Sequence, residues 1–128
     1  MNDNTNNDFK LLSNSEKTIN YINNLLPNYP KKEIILKQNI EKTQYELIEN
    51  IFSFNINKDS VRIRNKHLKE ILLKLSMIDY YIRISYHKKY ISTHQMDCIT
   101  KRLIEIRKIT YGLIKKENET LWSNLWYK

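Results

Sequence analysis

One glycine and two prolines punctuate 128 residues, and this scarcity limits the available folds more than any other feature. Gly112 stands alone, and Pro27 and Pro30 fall close together. A phosphate-cradling loop, a dinucleotide fingerprint and a strained serine elbow each need glycines in a fixed pattern. All three are excluded. A β-sandwich or barrel needs many Gly/Pro turns. Long periodic stretches with few connections point instead to an all-α fold. The chain is 41% hydrophobic and 28% charged, as a globular domain is. It is long enough to bury a core without disulfides.

Apolar periodicity places four helices. Leu12, Ile19, Ile22 and Leu26 predict a first helix over about 13–26, capped by Ser13 or Asn14. Residues 1–12, polar and Asn-rich, read as a disordered lead-in. Pro27-Asn28-Tyr29-Pro30 ends that helix, and Pro30 suits the start of the next. The second helix spans about 30–54, with Leu36, Ile40, Leu47, Ile48, Ile51 and Phe52 on its apolar face. The third starts at Asp59 or Ser60 and runs to about Lys89, with a stripe from Leu68 to Tyr86. Ser92 and Gln95 have capping-box spacing for the fourth, which is expected to end near Lys116. Short links favour antiparallel neighbours, so residues 13–117 read as an up-and-down four-helix bundle. Residues 118–128 form an amphipathic tail with Leu121, Trp122, Leu125 and Trp126 on one face. Such a stripe is expected to pack back on its own bundle. The alternative is a docking site for a second chain, through Trp122, Leu125 and Trp126.

Charge divides the chain. Residues 1–50 carry six basic and seven acidic residues, and residues 51–128 carry sixteen and seven. The net charge of +8 therefore resides in the second part, which suggests a polyanionic partner. One cysteine, Cys98, excludes an internal disulfide and points to a reducing, cytoplasmic home. No apolar run approaches the roughly 20 residues that cross a bilayer, so no membrane role is expected.

Several segments resemble the four-helix-bundle family of the accessory variability determinant of diversity-generating retroelements. This family is related to small proteins encoded in intervening sequences of bacterial ribosomal RNA genes. The segment from Tyr21 to Lys32 is similar to the family's short helix ending in proline and a basic residue. Tyr80-Tyr81-Ile82-Arg83-Ile84 is similar to its aromatic–aliphatic–Arg–apolar run. Ile91 to Gln95 resembles its turn into the fourth helix, and Leu103 to Ile109 its Leu-x-Glu-Ile segment. The family's glycine in that segment is Arg107 here, and its late tryptophan is Leu113. The resemblance implies a non-enzymatic, ring-like homopentamer that binds a reverse transcriptase and RNA or DNA.

The basic clusters are the candidate nucleic-acid contacts: Arg62, Arg64 and Lys69, then Arg83, Lys88 and Lys89, then Lys101, Arg102, Arg107 and Lys108. Cationic helical faces gain affinity by releasing counterions from phosphates. Tyr80, Tyr81, Tyr86 and Tyr90 interleave with the second cluster and are candidates to stack on unpaired bases. The plainer reading is a solvated lysine face, with Asp79 and Arg83 as a surface pair. A second hypothesis is a ribonuclease of the HEPN type, with His67 as acid–base and Arg62 on the phosphate. A third is an inert structural bundle. His87, His94 and Cys98 have the chemistry of zinc ligands but lack a paired ligand motif, so no metal or cofactor is expected.

Overall fold

The computed structural model describes residues 3–126. Helices α1 (Asp3–Leu25), α2 (Ile34–Ile56), α3 (Val61–His87) and α4 (Thr93–Trp126) run alternately up and down. Two 3₁₀ turns, Leu26–Asn28 and Lys31–Glu33, fill the link from α1 to α2. α2 packs on α3, α3 on α4 and α4 on α1, whereas α1 touches α2 lightly. Among the described residues every regular element is helical.

The helix ends follow from local chemistry. The Ser60 Oγ accepts from the Ile63 N–H at 3.2 Å. At α4 the predicted capping box forms: Ser92 Oγ accepts from the Gln95 N–H at 3.1 Å, and Gln95 Oε1 accepts from the Ser92 N–H at 2.8 Å. Two otherwise orphaned donors are satisfied reciprocally. After α3 the Tyr90 N–H bonds Ser85 O and the Lys89 N–H bonds Tyr86 O, both at 2.9 Å. This is a Schellman closure. It holds Lys89 at φ 66°, where glycine is usual.

The core collects one face from each helix: Leu11 and Ile22, then Ile40, Leu47 and Ile51, then Leu68 to Ile82, then Ile99 to Leu113. Phe54 is fully buried, while Phe52 faces solvent. Phe54 stands three residues after Ile51 on the same face, and Phe52 is off it. Buried hydroxyls bond back along their own helices, as Ser85 does to Tyr81 O and Thr110 to Ile106 O, each at 2.8 Å.

Two expectations at the termini are corrected. The lead-in is helical from Asp3, and Leu11 is fully buried. Packing along α4 overrides the weak helix propensity of Asn-rich sequence. The tail does not fold back. Lys115 to Thr120 contains no turn signal and several good helix formers, so α4 continues to Trp126. Leu121, Trp122 and Leu125 remain exposed. The expectation for the Trp126 side chain lies outside the described residues.

Candidate nucleic-acid interface

Two ridges run along the outer side of the α3/α4 layer. On α3, Arg62, Lys66, Lys69, Leu73, Ser76, Tyr80, Arg83 and His87 follow at steps of three or four residues, and all are exposed. On α4 the same spacing joins Lys101, Ile104, Lys108, Tyr111, Lys115, Asn118 and Trp122, again all exposed. Such steps keep residues on one helix face. Neither ridge contains a carboxylate. Arg107 bridges the seam between them, its Nη2 donating to Ser76 Oγ at 3.1 Å. Asn65 Nδ2 donates to Asn118 Oδ1 at 3.1 Å nearer the end of the bundle. In the same seam Leu121 lines a groove with Arg62, Asn65, Lys66 and Lys69.

The predicted cations do not share one environment. Arg62, Lys69, Lys101 and Lys89 are exposed. Arg83 and Lys108 share the ridges but carry local partners: Asp79 at 2.9 Å and Glu105 at 3.5 Å. Such surface pairs are weak. Arg102 is exposed, yet its guanidinium sits 5.4 Å from the Tyr21 ring centre, turned towards α1. It therefore leaves the ridge that holds Lys101.

Arg64 is a correction. It is 9% exposed and belongs to the bundle interior. Its Nε donates to Glu117 Oε1 at 2.7 Å and its Nη1 to Phe54 O at 2.9 Å, with the guanidinium 3.8 Å from the Phe54 ring centre. It joins α2, α3 and α4 and satisfies a carbonyl of α2's last turn.

Lys88 is also engaged within the chain. Lys88 Nζ donates to Glu33 Oε1 at 3.0 Å, and Tyr90 Oη donates to the same oxygen at 2.9 Å. The bond from Lys88, then that from Tyr90, holds the Glu33 carboxyl below its ordinary range. The bond to Glu33 raises Lys88 in turn. Tyr90 also packs on the buried Tyr29, ring centres 5.3 Å apart, fastening the proline-containing link between α1 and α2 to the α3–α4 turn. Tyr86 Oη lies 3.2 Å from Thr93 Oγ1, and Tyr81 is half-buried. Of the four tyrosines expected to stack, Tyr80 is exposed on a ridge.

The ribonuclease pair is not brought together. Five residues on a helix separate two side chains by roughly 140° around the axis. Arg62 points into the groove beside Leu121, and His67 Nδ1 lies 2.9 Å from Asn50 Oδ1 on α2. His94 Nε2 and Cys98 Sγ are 3.6 Å apart. Among the described residues no three His, Cys, Asp or Glu side chains cluster as metal ligands, and no helix is long and apolar enough to cross a membrane.

Sequence reasoning missed Lys115 and Tyr111. The heptad repeat of Lys101, Lys108 and Lys115 was the signal that would have found the first. Across the bundle, α1 and α2 leave an open groove lined by Glu16, Ile19, Glu41, Gln44, Tyr45 and Ile48. There the buried Gln44 Nε2 lacks a protein partner. Ile35, Tyr45, Phe52 and Ile56 stand exposed on α2.

No curated protein shows significant similarity to the chain. A family model described as bAvd-like matches residues 10–117, from α1 through nearly the whole of the buried core. That span and the four-helix architecture agree with the segments that resemble the accessory variability determinant, and the chain belongs to the bAvd-like family.

Proposed function

We propose that this chain is a non-catalytic accessory protein of a diversity-generating retroelement, which binds nucleic acid and a reverse transcriptase in the cytoplasm. The observation that carries the reading is the pair of carboxylate-free ridges on α3 and α4 of a bAvd-like chain. Arg62, Lys66, Lys69, Lys101, Lys108 and Lys115 would meet phosphates, with Arg107 at the seam between the ridges. Arg83 extends the same positive field towards the end of the bundle, while Lys89 lies past the end of α3, beyond the ridges. The exposed apolar residues of α2 support association with other protein surfaces, and a homopentamer is the assembly the family implies. Repetition of the ridges by symmetry would turn a modest patch into a multivalent one.

The test is salt-dependent binding of RNA and DNA, with light scattering for the number of copies and co-purification with the reverse transcriptase of the same element. Tight binding that falls steeply with salt and a mass of about five copies are expected. Absence of nucleic-acid binding at low salt would remove the reading. The ribonuclease reading has less support, because Arg62 and His67 face different neighbours.

A further inference from the structure

The α4 ridge carries a second pattern within its positive charge. Lys101, Lys108 and Lys115 recur every seven residues, about 10 Å apart along the axis. Ile104 and Tyr111 occupy the intervals, and Trp122 follows Lys115 by another seven residues. Tyr111 is 56% exposed and Trp122 63%. Their positions are separated by about 16 Å along the helix. Neither ring enters an aromatic pair among the described residues. On α3, Tyr80 is likewise exposed between Lys69 and Arg83, but its ring is paired with that of Tyr81, centres 6.0 Å apart.

Lysines alone would serve duplex and single strand alike, because both present phosphates. Rings on the ridge separate the two. A duplex keeps its base faces stacked inside and offers groove edges and backbone. An unpaired strand offers both phosphates and free base faces, and aromatic rings between cations match that combination. We infer that the α4 ridge is a track for single-stranded nucleic acid. Bases stack on Tyr111 and Trp122, and Lys108 and Lys115 take the phosphates near and between them. This inference rests on the nucleic-acid reading above and specifies the form of strand it takes.

The test uses the full chain with Trp126→Phe, so that emission reports Trp122. It is titrated with oligouridylate and oligothymidylate of roughly 15 nucleotides and with a duplex of equal length. Single strands are expected to quench Trp122 and to bind about ten-fold more tightly than duplex. Trp122→Ala and Tyr111→Ala each weaken single-strand binding roughly ten-fold and leave duplex binding within about two-fold. Both are exposed helix positions where alanine is a good helix former, so the fold persists. Lys108→Glu with Lys115→Glu weakens both forms. Equal affinity for both forms without quenching, but with steep salt dependence intact, overturns the single-strand track and leaves the broader reading standing. Loss of copies in Trp122→Ala with single-strand affinity unchanged assigns that ring to a protein contact and likewise overturns it. No binding of any oligonucleotide removes both.

Discussion

The α1/α2 layer and the α3/α4 layer share one core but present opposite surfaces. Through Ile56 the chain has six basic and seven acidic residues, and all the net positive charge lies beyond it. The outer side of α2 exposes Ile35, Tyr45, Phe52 and Ile56, and the α1/α2 groove holds Glu16 and Glu41. α3 and α4 expose cation ridges without carboxylates. Cohesion differs as well, since α3 is packed closely on both its neighbours while α1 and α2 barely meet. A bundle needs each helix to bury one stripe, and the opposite stripe is free to vary. One layer has used that freedom for an excess of cations, with carboxylates such as Glu105 and Glu119 beside the ridges, and the other for apolar area. A solvated lysine coat arising from composition alone would not respect the boundary between layers.

The largest expected effect comes from breaking the residue that ties the layers together. Arg64→Ala leaves Glu117 and Phe54 O without their donor inside the bundle. It should cost about 3 kcal/mol, read as a lower urea midpoint with unchanged slope. Arg64→Lys should recover part of this, because an ammonium lacks the forked donors that reach both partners.

Charge reversal sharpens the contrast between surfaces. Lys101, Lys108 and Lys115 changed together to Glu should lower affinity for single-stranded RNA on the order of 100-fold and flatten the salt slope by about 2. The same three reversals at exposed Lys31, Lys32 and Lys42 change net charge equally but lie in the other layer. They should alter affinity by less than about five-fold. Equal losses in the two variants would mean that net charge, rather than the ridges, governs binding. Filter binding over a salt series distinguishes the outcomes.

A smaller effect concerns Lys89, exposed but held in the left-handed region. Lys89→Gly should raise stability by about 1 kcal/mol, because glycine adopts that geometry without a Cβ clash. Nucleic-acid affinity should change little, which would separate Lys89 from the cations of the ridges.

The smallest effect is the pH dependence of the Glu33 contact across the layers. Its carboxyl titrates below the ordinary carboxylate range because Lys88 and Tyr90 donate to it. The folded state therefore prefers the ionised form. The stabilisation is present above the unfolded value and is lost as pH falls through the lower folded one. Glu33→Gln should remove that component of the acid limb, while Asp8, pushed up by burial, contributes with the opposite sign. Thermal midpoints across the acid range, compared between the two proteins, check it.

Most of the fold was legible because its signals are local. Ser92 and Gln95 predicted a helix start from spacing alone, and both bonds of the capping box are present. The stripe from Leu68 to Ile82 lies in the core as its period required. The site was less legible. Arg64 and Lys66 look alike in a basic run, yet one is buried and the other exposed. Two positions on a helix differ by about 200° in direction, enough to move a cation from solvent to core. Lys88 likewise reads as a free charge until Glu33 is brought beside it from the far side of the chain.

The amino-acid sequence by itself determined the four helices, most of their ends, the buried faces and the confinement of positive charge to the second part of the chain. These depend on spacing, propensity and composition, which are properties of neighbouring residues. The tertiary structure decided which cations are free and whether the Trp122 side chain meets the bundle. Arg64 finds Glu117, and Lys88 finds Glu33, across more than fifty residues. No local pattern encodes such partners, because they meet only when the helices have chosen their neighbours and their rotation about their own axes.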